Sequence, residues 1–196
     1  NMSKKVFIVA VAEEVDIQGE ILGIPVMFSG VGKVNAATAA TMAFSLGYNE
    51  VINIGSCGSL KLPVGEIVKV GQVFQDIDAT PLDEYGVTPF DTNSKQVVID
   101  AMSPHTCFTT DYFYDNSQLS KYSLYYLEMI NKCSIFDMEC FAIAKVCRRY
   151  NVRFSSYKWV SDSGDHSHWK ENCKLGFEKV KVILNERFEK ERISTI

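Results

Sequence analysis

Three carboxylates in this 196-residue chain stand just after apolar runs. Glu14 follows VFIVAVA, Glu139 follows SIF and Asp162 follows YKWVS. Any one alone reads as a helix cap or a solvated loop residue. Three at one edge of a single sheet form a convergent acidic site, able to hold and move protons. The sharpest junction is Ser134 to Val146, SIFDMECFAIAKV, where Asp137 and Glu139 straddle Met138 as an apolar strand gives way to a helix. Carboxylates are rarely buried without a partner. Asp137 reads as the cap of the following helix, its side chain accepting a backbone N–H.

The elements that must position these groups can be read from the periodicity. Val6 to Ala12 is a continuous apolar run, suited to a strand buried on both faces. Ile24 to Ser29 predicts a second strand. Gly30-Val31-Gly32-Lys33 makes the turn into an alanine-rich helix from about Lys33 to Leu46, stopped at Gly47. That turn resembles a phosphate loop but lacks the Walker spacing and the third dinucleotide glycine. Val51 to Ile54 predicts a third strand ending in a turn, Gly55-Ser56-Cys57-Gly58, and Glu66 to Phe74 a half-exposed one. Residues 76–104 read as loop and Cys107 to Asp111 as a short strand. Helices are predicted over Leu119 to Asn131, Glu139 to Tyr150 and Asn172 to Phe188, with a strand at Phe154 to Val160. His166-Ser167-His168 reads as a surface loop rather than a metal site, because no third ligand is in view.

Strands alternate with helices throughout. This predicts one α/β domain over 1–196, in three α/β/α layers with a mixed, largely parallel sheet. In such folds ligands gather at strand ends. Apolar residues make up 46% and charged residues 22%, which argues against disorder. The net charge is −4 and the 20 Lys and Arg are scattered, so no basic face for nucleic acid is expected. The longest apolar run is too short to cross a membrane. Six dispersed cysteines in apolar contexts argue for a reduced, cytoplasmic setting over a disulfide framework.

Five blocks together resemble the nucleoside phosphorylase/nucleosidase superfamily, and within it the methylthioadenosine/S-adenosylhomocysteine nucleosidases. They are A-x-x-E-E-V at Ala10 to Val15, SGVGKVNAA at Ser29 to Ala37, VINIGSCGS at Val51 to Ser59, DMECFAIAKVC at Asp137 to Cys147, and VSD at Val160 to Asp162. They span most of the chain, in the family's order. The resemblance implies cleavage of the N-glycosidic bond of a purine nucleoside through an oxocarbenium-like ribosyl cation. Asp162 matches the general acid that protonates the leaving purine at N7, with Ser161 orienting it. Glu14 matches the base that takes a proton from the attacking water. Glu139 matches the group that binds the ribose hydroxyls and faces the growing cation. Met138 matches an apolar contact to the sugar, and Ser56 and Gly58 the lining of the ribosyl and base region. Phe113, in TDYFY, falls where a ring stacks on the base. The division of labour parallels glycosidases.

Phosphorylases of this superfamily carry an arginine two residues before the glycine block and a G-D-P-x-R loop after the first strand. Here those places hold Asn53 and Ala12-Glu13-Glu14, so water rather than phosphate is the expected nucleophile. The nucleosidases have an arginine four residues before the catalytic aspartate, near the water site; here it is Lys158, expected on the pocket wall among the substrate-binding residues but lacking the fork geometry. Trp159 beside it is bulkier than expected. Residues 76–90 and the loop between Pro104 and Ser134 diverge, so methylthioadenosine/S-adenosylhomocysteine is the default substrate, with adenosine, another purine nucleoside or a 5′-modified relative left open. A phosphate-dependent phosphorylase and an inactive nucleoside-binding domain are the competing readings. The implied chemistry needs no cofactor and no metal, and the resemblance implies a homodimer.

Overall fold

The computed structural model of the protein describes residues 3–17, 19–91 and 95–195. Its strands are β1 (Lys5–Val9), β2 (Glu20–Ile21), β3 (Ile24–Phe28), β4 (Glu50–Gly58), β5 (Ile67–Lys69), β6 (Gln72–Gln75), β7 (Val97–Val98), β8 (Thr106–Thr109), β9 (Ile135–Asp137) and β10 (Arg153–Asp162). Among the described residues four α-helices join them: α1 (Lys33–Ser45), α2 (Leu124–Lys132), α3 (Cys140–Arg149) and α4 (Trp169–Ser194).

The strands form one mixed sheet. Its order is β2-β3-β1-β4-β9-β8-β6-β7, with β10 joined to β4 and β5. β1 pairs in parallel with β3 and β4, β4 with β10, and β8 with β6 and β9. The remaining pairings are antiparallel. Alternation along β1 sorts the core into layers. Phe7 and Val9 pack under α4 with Trp159, Phe177 and Val180. Val6 and Ile8 face the small side chains Ala36, Ala40 and Ala43 of α1, together with Ile143 and Cys147 of α3. These alanines let α1 approach closely, which explains an alanine-rich helix at this position. The three-layer α/β/α architecture is thus as the alternation predicts.

β4 departs from the sequence reading. It runs through Gly55-Ser56-Cys57-Gly58 as strand, where the glycines suggest a turn. Its partner β1 stops early, with Ile8 opposite Asn53 as the last register pair. β9 takes over only at Gly58, opposite Phe136. Between these two partners the sheet forks, and one edge of β4 is open. The glycines serve the close approach of side chains into that opening rather than a reversal of the chain.

Other boundaries move for local reasons. Glu66 to Phe74 is two strands, broken at Val70-Gly71. The helix expected from Leu119 opens as a 3-10 turn, and α2 proper starts after Ser123, whose hydroxyl accepts the Tyr126 N–H. The loop at 76–104 gains the short β7; its residues 92–94 lie outside the described residues. Among the aromatics of the diverging loops, Tyr85 and Tyr114 are buried, and Tyr112 and Phe113 are exposed. All six cysteines are free and buried. No helix among the described residues is long and apolar enough to cross a membrane.

Trp159 is fully buried, and its bulk faces α4 rather than the open edge of β4. Gly176 of α4 meets it: a Cβ there would collide with the Trp159 ring. Replacing glycine in a helix normally favours the helix by up to about 1 kcal/mol. Here the overpacking dominates, so Gly176→Ala should destabilise the protein by about 1–3 kcal/mol in urea unfolding.

Candidate active site

The open edge of β4 is the floor of a cavity of about 450 Å³, within the usual range for small-molecule pockets. Glu14, Glu139 and Asp162 all line it, and each is less than a tenth exposed. Ser56, Gly58, Phe113, Met138 and Ser161 line it too. The three acidic strand ends of the sequence therefore converge.

Glu14 sits on a 3-10 turn that follows β1. Its Oε2 accepts the Ser56 N–H at 2.6 Å and the Ser56 hydroxyl at 2.8 Å. This seat needs the bare backbone of Gly55, since a Cβ there would lie 2.8 Å from Oε2. Burial raises the Glu14 carboxyl above its ordinary range, opposed by the charge of Lys158 and the bonds from Ser56. Asp162 ends β10 at a bulge, because Val160 faces Cys57 while Asp162 faces Gly58. The extra residue, Ser161, bends the strand and aims the carboxylate into the cavity. Ser161 donates its hydroxyl to Asp162 Oδ2 at 2.7 Å, and the Gly164 N–H donates to Oδ1 at 2.9 Å.

Glu139 immediately precedes α3, and its Oε2 accepts the Gly32 N–H at the start of α1 (3.0 Å). Burial, with Asp137 and Glu14 adding like charge, pushes its carboxyl up to about 8 despite Lys158. Asp137 caps α3 as the sequence suggests, accepting the Cys140 N–H at 2.8 Å and the Glu139 N–H at 3.2 Å. It does more than cap. Its Oδ2 lies 3.1 Å from Lys158 Nζ, and both side chains are 1% exposed. Thr109 donates a further bond to Oδ1 at 2.6 Å. Burial alone would raise this carboxyl, but Lys158 and the hydrogen bonds hold it low. Burial would likewise depress the Lys158 ammonium, and Asp137 and Glu139 hold it up.

Lys158 is therefore not on the cavity wall where the sequence placed it among the binding residues. It lies behind the wall, bound to Asp137 and felt by Glu14 and Glu139 through their charges. Asn53 is buried: its amide donates to Ile8 O at 3.0 Å and its oxygen accepts the Ser156 hydroxyl at 2.9 Å. Lys33, in the glycine turn, is held 2.6 Å from Asp76 and 3.8 Å from Asp111. A phosphate would find neither group free.

Two lining residues escape the sequence reading. Trp169 starts α4 and donates its indole N–H to Ser56 Oγ at 3.1 Å, extending the chain that ends on Glu14. His166, expected on a surface loop, turns into the cavity with its ring 4.2 Å from that of Phe113; His168 stays exposed. Nothing in the local sequence marks either, since both are brought in by the path of the loop after β10. Cys107, Asp137 and Cys140 come within metal-ligating distance of one another, but Lys158 on the same carboxylate opposes a cation there.

Two measurements check this electrostatic arrangement. Removing one partner of a buried ion pair strands the other. Lys158→Met and Asp137→Asn should each lower stability by about 3–5 kcal/mol in urea unfolding. The double variant should lose less than the sum. The second concerns Glu139. Its carboxyl ionises near its ordinary value of 4.5 in the unfolded chain and near 8 in the folded one. The unfolded state thus releases this proton first, and Glu139 costs stability progressively as pH rises from 4.5 to 8. Glu139→Gln should match wild type in melting temperature at pH 5 and exceed it at pH 8.

The sequence profile of the Phosphorylase superfamily matches residues 17–188. The 5′-methylthioadenosine/S-adenosylhomocysteine nucleosidase of Buchnera aphidicola subsp. Schizaphis graminum is 28% identical over 185 residues, covering 81% of this chain and 77% of that protein. The protein of the same name from Bacillus cytotoxicus is 31% identical over 158 residues, 68% of this chain and 65% of its own. Among solved structures, futalosine hydrolase of Helicobacter pylori superposes with a TM-score of 0.76 at 19% identity, covering 94% of this chain and 98% of that one. The Neisseria meningitidis methylthioadenosine/S-adenosylhomocysteine nucleosidase, in complex with methylthio-immucillin-A, gives 0.73 at 22% identity, covering 91% and 95%. The two structural likenesses are of fold. With its profile match running nearly from end to end, the chain belongs to the Phosphorylase superfamily.

Proposed function

We propose that this chain hydrolyses the N-glycosidic bond of a purine nucleoside, with 5′-methylthioadenosine, S-adenosylhomocysteine and adenosine as the first substrates to try. The observation that carries this is the convergence of three buried carboxylates on one nucleoside-sized cavity, with no free cation on its wall among the described residues. The named nucleosidases to which the chain is similar support the same reading.

In this reading, Asp162 gives its proton to purine N7 as the bond from C1′ to the base breaks and its electron pair leaves with the base. Ser161 orients that carboxyl. Glu139 takes the ribose hydroxyls. Burial holds its carboxyl up near 8, but donated hydroxyl bonds and a cation beside it both favour the ionised form. Binding and bond cleavage therefore draw out the negative charge where the cation grows. Glu14, raised by burial, removes a proton from the water that attacks C1′. Met138 packs on the sugar, Ser56 and Gly58 line the ribosyl region, and Phe113 stacks on the base. Lys158 acts on Glu14 and Glu139 through its field rather than by touching substrate.

Asn53, committed to Ile8 and Ser156, and the carboxylate of Glu14 both disfavour phosphate as nucleophile. The chain acts as one domain, needs no cofactor, and works as a cytoplasmic homodimer. The cytoplasm is supported by six free, buried cysteines and the homodimer by the family resemblance.

Base release from the three nucleosides, with and without phosphate, tests the reading. Release should proceed in phosphate-free buffer, and Asp162→Asn should lower kcat at least a hundredfold or so. A rate that vanished without phosphate and returned on adding it would mean phosphorolysis. No release under either condition would leave a binding domain.

A further inference from the structure

His166 belongs to none of the blocks that carry the family resemblance, yet its ring lies against the acid. Nδ1 is 3.6 Å from Asp162 Oδ1. Nε2 is 3.0 Å from the main-chain oxygen of Tyr114. A carbonyl oxygen only accepts, so Nε2 carries the hydrogen. The neutral ring therefore turns the lone pair of Nδ1 toward the carboxyl. That nitrogen is buried and has no hydrogen-bond partner among the described residues. The ring cannot easily turn away. Phe113 lies on it, and the Asn116 N–H bonds the Gly164 oxygen at 3.2 Å, tying its loop to the segment that follows β8.

A lone pair facing an ionised carboxylate is repulsive, and a single proton between them removes the repulsion. Once the two close from 3.6 Å to hydrogen-bonding distance, either the carboxyl donates to Nδ1 or an imidazolium donates to the carboxylate. We propose that Asp162 and His166 hold one proton in common, and that this is the proton delivered to the leaving base. The proposal rests on the nucleosidase reading and assigns His166 a positioning role, acting through Asp162. The charged groups facing the ring favour a proton at this place. They are Asp162, the neighbouring Asp165, and Asp115 from the segment after β8. His168 is turned to solvent, 3.8 Å from Glu171.

The proton count closes. The pair begins with one proton, which passes through the Asp162 carboxyl to N7 as the glycosidic bond breaks. Water adds to C1′ and gives its own proton to Glu14. The pair is left empty, with lone pair against carboxylate, and takes a proton from solvent through the partly exposed ring. Glu14 returns its proton to solvent. The sum is nucleoside plus water giving free base and free sugar.

His166→Gln tests this, because it keeps a donor at the Nε2 position and removes the nitrogen at the Nδ1 position. We would measure kcat and KM from pH 5 to 9 on the nucleoside the wild type hydrolyses best. The variant should match wild type within about twofold at pH 5, where protons are abundant in solvent. It should fall at least about tenfold behind at pH 8.5, with KM little changed, as expected for loss of acid assistance. A loss equal at every pH, or no loss, would overturn the proposal. A wild type that releases no base would instead overturn the nucleosidase reading. If the variant does not fold, nitrogen NMR of His166 decides. Asp162→Asn should make the ring take up its proton at lower pH, and an unchanged titration would sink the shared proton.

Discussion

One buried contact governs the charge of the whole site: Lys158 against Asp137, both almost fully excluded from water. Four carboxylates crowd the cavity and its back wall, and Lys158 is the cation set among three of them. An ammonium in this place needs a full partner, because desolvation would otherwise expel it or strip its proton. Asp137 is that partner, and it is itself fixed by Thr109 and by the first turn of α3. The pair is thus tied to β8, β9, α3 and β10 at once. With Asp137 supplying the local neutrality, the remaining field of Lys158 reaches Glu14 and Glu139 and opposes the burial that raises both carboxyls. That balance suits groups that must exchange protons or meet a transient cation.

The fold is legible where one physical rule dominates. Apolar runs and glycine stops locate β1, β3, α1 and the core of β10, because those elements are buried on one or both faces. It is less legible where two rules compete. Gly55 to Gly58 carries the residue types of a turn, yet it is strand, because its glycines make room for Glu14 and for the Phe136 ring. No single-chain pattern distinguishes a glycine that bends the backbone from one that clears space beside it.

The site divides in the same way. Glu14, Glu139 and Asp162 are visible because a carboxylate after an apolar strand is costly and therefore informative. Lys158 is visible as a residue but misplaced, since position in a strand gives the side but not the depth. The bulk of Trp159 does not crowd this wall, because the side chain takes the opposite face of β10, as strand alternation requires. Asp137 reads as a cap, which it is, while its partnership with Lys158 depends on strands far apart in sequence. His166, and Trp169 at the start of α4, are placed by a loop whose path is set by packing against the 112–116 segment, and nothing local encodes that path.

The fork in the sheet has a consequence for turnover itself. Between the end of β1 and the start of β9, β4 lacks a neighbouring strand among the described residues, and the Glu14 carboxylate accepts the Ser56 N–H that would otherwise face the gap. A side chain here stands in for a missing piece of backbone. In the proposed mechanism that carboxylate takes a proton from water; it then becomes a weaker acceptor, and the strand momentarily loses part of its edge pairing. The demand of the sheet for a strong acceptor then favours release of the proton, so the architecture that exposes the cavity also helps return its base to the starting state.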